Sequence, residues 1–160
     1  MNRRNKAVLG LLALLPALGV AGTWLAAAAS TRPVPLGAPG GRLAPCPDTP
    51  NCVSTQADPA DRLHGIEPIA YDGSLADARS RMLAALEAAP RITIIRSEPD
   101  YNAAEARTAF FRFVDDIDIA FDDSAKLIHF RSASRLGQGD LGVNRNRMED
   151  IRERFLAARP

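Results

Sequence analysis

The densest set of reactive groups lies in one stretch, RSASRLGQGDLGVNRNR, from Arg131 to Arg147. Four guanidiniums, on Arg131, Arg135, Arg145 and Arg147, accompany the hydroxyls of Ser132 and Ser134 and the amide of Asn144. Gly137, Gly139 and Gly142 allow a close approach of backbone. A glycine-containing loop that enters a helix N-terminus beside arginines can hold a phosphate or carboxylate, because free N–H groups and planar guanidiniums both suit an oxyanion. The same residues also suit internal bonding. Asp140 can cap the helix, Asn144 falls within its apolar stripe, and Arg145 and Arg152 flank that stripe. Glu149 can pair with Arg145, and Asp150 with Arg154, at i,i+4. Both uses remain open from sequence. The lysine and glycine spacing of a nucleotide-binding loop is missing.

A second polar cluster is the acidic run Asp115, Asp116, Asp118, Asp122 and Asp123, with His129 across an expected hairpin. Carboxylates with a histidine can hold a divalent cation. Strand alternation instead sends Asp116 and Asp118 to a solvated face, Asp122 and Asp123 to a turn, and pairs the run with Arg131 or Lys126 across strands. No metal site and no cofactor are expected. For nucleophilic catalysis, Ser54, Ser132 and Ser134 are candidate nucleophiles, and His64 and His129 are candidate bases. No Gly-x-Ser-x-Gly elbow or other local signature joins them.

The two cysteines, Cys46 and Cys52, enclose Pro47, Asp48, Thr49, Pro50 and Asn51. Proline with Asp and Asn favours a tight turn that brings the sulfurs together. A structural disulfide is expected. Five intervening residues do not match a Cys-x-x-Cys redox pair.

The N-terminus implies where such a bridge would form. Arg3, Arg4 and Lys6 precede 23 uncharged residues, AVLGLLALLPALGVAGTWLAAAA, from Ala7 to Ala29. A helix of that length reaches roughly 34 Å, enough for a hydrocarbon core of roughly 30 Å. The small residues Ala27, Ala28 and Ala29 also resemble a signal-peptidase site. Residues 1–29 are therefore a transmembrane anchor or a cleaved signal, and either sends the remainder to the periplasmic side of the cell envelope. Residues 30–45, with four prolines and three glycines, read as an extended linker to a single domain over residues 46–160.

The elements that must position these groups follow from periodicity. Ile66–Tyr71 suits a short strand. Ser74 and Asp77 cap a helix whose face carries Leu75, Ala78, Met82, Leu86 and Ala89, and Pro90 stops it. Strands are expected at Ile92–Ile95, along Tyr101–Val114, at Asp116–Asp122 and at Lys126–Ser132. Ile117, Ile119 and Phe121 share one face. A last helix after Asp140 carries Met148, Ile151 and Phe155. The order β-α-β-β-β-β-α predicts an α+β fold, an antiparallel meander with helices packed on one face and the N-terminal hydrophobic helix in front.

Residues 1–45 carry five basic side chains and no acid, whereas residues 46–160 hold 15 basic and 19 acidic ones. A mildly acidic domain is a poor partner for nucleic acid.

CPDTPNCVST at Cys46–Thr55, His64 with Ile66 and Pro68, FVDDIDIAFDD at Phe113–Asp123, and the Arg131–Arg147 segment together resemble the domain-of-unknown-function 1499 family. The likeness spans residues 45–157. It implies a small secreted or membrane-associated protein and assigns no catalytic residues. The expected function is an accessory domain of the envelope that binds a small anionic ligand, a lipid headgroup or a protein partner. The alternative is a small hydrolase or transferase using Ser132, Ser134 or His129.

Overall fold

The computed structural model describes residues 19–158. Residues 7–18 of the apolar run lie outside it, and 19–29 form a helical segment. Among the described residues, no helix is long and apolar enough to cross a membrane.

Six strands form one antiparallel sheet: β1 (Cys52–Ser54), β2 (Ile69–Ala70), β3 (Ile92–Ser97), β4 (Tyr101–Arg107), β5 (Val114–Asp122) and β6 (Leu127–Ser134). The order across the sheet is β1-β6-β5-β4-β3, with β2 pairing β6 beside β1. Two helices, α1 (Leu75–Ala88) and α2 (Val143–Ala157), pack against each other and cover one face. The α+β meander read from sequence is the observed fold. Two differences have clear causes. The three-residue β1 is too short to show a period, and it follows the disulfide loop directly. The expected long strand through Val114 breaks after Arg107, because Thr108 closes a loop by accepting from the Phe113 amide at 2.9 Å while Arg112 adopts φ 62°.

The helices start and stop as their chemistry requires. The Ser74 hydroxyl accepts from the Asp77 amide at 3.1 Å and donates back to its carboxylate, which caps α1. Asp140 takes the orphan amides of Gly142 and Asn144 at 3.0 and 2.7 Å, which starts α2. Ala78, Met82 and Leu86 of α1 meet Met148, Ile151 and Phe155 of α2 over Ile117, Ile119, Ile128 and Phe130. Arg81 stacks 4.1 Å from the Phe155 ring and donates to the Phe155 carbonyl, tying the two helices together.

The opposite face of the sheet is also covered. Asp116 and Asp118, expected on a solvated face, are buried at 1% and 3% exposure. Residues 30–45, expected as an extended linker, lie across them. Arg32 of that segment donates to both carboxylates, and Leu43 packs with Tyr101, Ala103 and Ala120. Gln56 holds the segment by accepting from the Leu43 amide and donating to the Gly41 carbonyl, each at 2.8 Å. Alternation along β5 correctly opposes Asp116 and Asp118 to Ile117 and Ile119. It carries no information on what covers the second face.

Candidate functional site

The Arg131–Arg147 stretch divides between the two faces of the sheet, because neighbours along β6 point opposite ways. On the helix side, Asn144 is a fully buried node. Its Oδ1 accepts from Ser132 at 2.6 Å and from Arg147 at 2.8 Å. Its Nδ2 lies within bonding distance of the Asn51 carbonyl, Ser134 Oγ and Asp140 at 3.1, 3.0 and 2.8 Å. Arg147 also pairs with buried Asp115. This cluster ties β5, β6, α2 and the disulfide loop into one polar knot. The buried amide and hydroxyls thus have their partners inside the fold.

On the opposite side, Arg135 donates to Asp116, to Glu105 and, at 3.1 Å, to the Ser30 carbonyl. Asp118 receives Arg32 and the Tyr101 hydroxyl, while Arg131 stands with Nη1 3.7 Å from its second oxygen. Arg131 Nε and Nη1 have no hydrogen-bond partner among the described residues. Burial pushes the Asp118 carboxyl up, against the pull of Tyr101, Arg32 and Arg131. Burial likewise lowers Arg131, against the attraction of Asp118. For Arg135, burial works downward but is outweighed by its bonds to Asp116 and Glu105, which raise it.

Arg145 belongs to neither cluster. It donates to the carbonyls of Gly65 and Leu63 at 2.9 and 3.0 Å and so pins α2 to the loop before β2. Its expected pairing with Glu149 does not form, because Glu149 meets Arg152 at i,i+3 instead; the Asp150–Arg154 pair is present at 2.8 Å. The structure thus brings together Ser132, Ser134, Asn144 and Arg147, and separately Arg131 and Arg135. The seven residues do not converge on one point.

The disulfide joins Cys46 and Cys52, with Cα atoms 5.7 Å apart. Beside it, His64 is buried between the Asp61 carboxylate at 2.6 Å and the Thr49 carbonyl at 3.2 Å. Its hydrogen bonds lower the Asp61 carboxyl from its ordinary value. A pocket of about 370 Å³ opens here, lined by residues 42–48, Ser54, Gln56 and Asp61. One ring nitrogen of His64 faces the Asp61 carboxylate and the other the Thr49 carbonyl within the disulfide loop, so the imidazole ties that loop to residues 61–64. His129 sits elsewhere, with Nδ1 3.2 Å from the Thr55 hydroxyl, and burial lowers its pKa below the ordinary histidine value. Among the described residues, no group of three or more His, Cys, Asp or Glu is arranged to hold a metal ion.

Sequence reasoning missed the partners Arg32, Glu105 and Tyr101, which are separated from Asp116 and Asp118 by up to 86 residues and carry no local signal. It also missed an exposed apolar end. The β4–β5 loop presents Phe110 and Phe111, and the β6–α2 loop presents Leu136 and Leu141, all exposed. The aromatic run Phe110–Phe113 was the available signal, but it reads equally well as a strand.

An antiparallel sheet with two helices on one face and an ionic layer on the other defines a small α+β scaffold held by polar knots. The profile described as protein of unknown function (DUF1499) matches residues 42–155, and the chain belongs to that family. No curated protein matches the chain.

Proposed function

We propose that the chain is a membrane-tethered accessory domain of the cell envelope that acts by binding a lipid or protein partner rather than by catalysis. The observation that carries this reading is the inward use of its distinctive polar groups. Ser132 donates to Asn144, Ser134 lies within bonding distance of its amide, and His129 faces Thr55. Ser132, Ser134 and His129 are therefore spent on different neighbours. The basic start, the 23-residue apolar run and the disulfide all suit a domain outside the cytoplasm. The arginines act as the scaffold that holds the recognition surface in shape.

Gentle purification from native membranes, followed by native and denaturing mass spectrometry, tests the reading. The expected result is an intact mass that retains residues 1–29 and a lipid or protein companion lost on denaturation. Covalent labelling of Ser132 or Ser134 by a serine-directed activity probe would overturn it in favour of a hydrolase.

A further inference from the structure

The exposed apolar end lies where the N-terminal segment arrives. Among the helical residues 19–29, the Trp24 indole N–H donates to the Phe110 carbonyl at 2.8 Å. Trp24 remains 50% exposed, Phe110 61%, and Leu141 is fully exposed. Phe111, Phe113, Leu136 and Leu141 line a groove of about 320 Å³ between the two loops. Leu141 holds φ 54° and Arg112 φ 62°, left-handed conformations that bulky side chains avoid. Leu141 is thus a large apolar side chain held in a costly backbone conformation with its surface wholly in solvent.

We infer that this end of the domain docks on the outer surface of the bilayer that holds its own N-terminal segment. The inference rests on the tethered reading proposed above and names the partner as lipid. The depth argument is geometric. In a retained anchor over residues 7–29, Trp24 stands five residues, about 7.5 Å of helix, from the outer end, just beneath the interfacial belt that tryptophan prefers. A single 2.8 Å bond then sets Phe110 at that same level. Phe111 and Leu141, flanking the groove, follow it into the headgroup layer.

The charges agree. Asp140 is the one acid in residues 108–113 and 135–143, and its carboxylate is occupied by the Gly142 and Asn144 amides and the Asn144 side chain. Arg112 is exposed at the loop tip, facing the position of anionic headgroups.

The test uses the full chain in vesicles of phosphatidylethanolamine and phosphatidylglycerol, with a nitroxide attached through Gly139→Cys or Ala125→Cys. Gly139 is exposed, with open space around an added side chain, and Ala125 is exposed at the opposite end of the sheet. Power saturation compares access by oxygen, which concentrates in lipid, with access by a water-soluble nickel chelate. The label at 139 is expected to favour oxygen and the label at 125 to favour nickel. Adding Phe110→Ser, Phe111→Ser and Leu141→Ser should invert the ratio at 139 while the chain still floats with the vesicles. Nickel access at 139 in the otherwise native chain overturns the docking. So does shielding from both reagents, which would mean a second copy or protein partner, and so does an unchanged ratio in the triple variant. A chain that fails to float removes the tether itself, and the docking falls with it.

Discussion

The two faces of β5 are buried to the same degree by opposite chemistry. Ile117, Ile119 and Phe121 meet α1 and α2 in an apolar layer. Asp116 and Asp118, one residue out of step, meet Arg32, Arg131 and Arg135 under residues 30–45. The apolar side tolerates small changes of volume, because non-directional contacts redistribute. The ionic side does not, because each guanidinium removed leaves a buried carboxylate short of one of its partners. One face therefore supplies apolar bulk, and the other ties residues 30–45 to the sheet.

The largest expected effect breaks the ionic side. Arg135→Ala should cost about 3 kcal/mol, since Asp116 and Glu105 both lose a partner while Asp116 keeps Arg32 and Glu105 keeps Arg107. Denaturant unfolding measures this, and a loss below about 1 kcal/mol would mean that the cluster is solvated in practice. Exchange of the Leu43 amide should accelerate in the same variant, because Arg135 also holds the Ser30 carbonyl at the start of the covering segment.

On the helix side, the polar knot should behave as the ionic face does, although it lies among apolar groups. Asn144→Ala leaves Ser132, Asp140 and the Asn51 carbonyl short of a partner. A cost of about 2–3 kcal/mol follows if more than one of these groups stays unsatisfied. Ile117→Val, in the apolar layer directly across from Ser132 on β6, should cost only about 1 kcal/mol. The ratio between these two variants, measured on one unfolding curve set, is what separates the two kinds of burial. Equal losses would erase the distinction.

Much of this was legible in the residues, for local reasons. Ser74 with Asp77 announces the start of α1, Met148, Ile151 and Phe155 announce the inner stripe of α2, and the hairpin turn at Asp122–Asp123 needs only its neighbours. The Cys46–Cys52 bridge also follows from short-range geometry. The polar face was misread because its cover comes from residues 30–45, whose proline and glycine content looks like a tether whether or not it is docked. Within Arg131–Arg147, the groups were recognised as a set, yet strand alternation sends Ser132 and Arg131 to opposite faces. Density of functional groups along the chain is not convergence in space.

The smallest effect concerns pH and again separates the faces, because His129 projects on the same side of β6 as Arg131. Burial lowers its pKa, only partly opposed by Asp122. A depressed histidine binds fewer protons folded than unfolded, so its contribution to stability is complete above about 6.5 and is lost as pH falls through the folded value. Asp118 acts with the opposite sign. Its raised carboxyl gives stability that is full below about 3.8 and lost as pH rises through its folded value. A stability profile of the native chain sums the two, so the histidine is isolated by comparing the chain with His129→Gln. The difference between the two profiles should open only on the acid side of pH 6.5, and the His129 ring resonances should titrate below that value. A ring that titrates above 6.5 would show that Asp122 outweighs burial. That would place His129 among the solvated groups, at the rim of the ionic layer rather than under its cover.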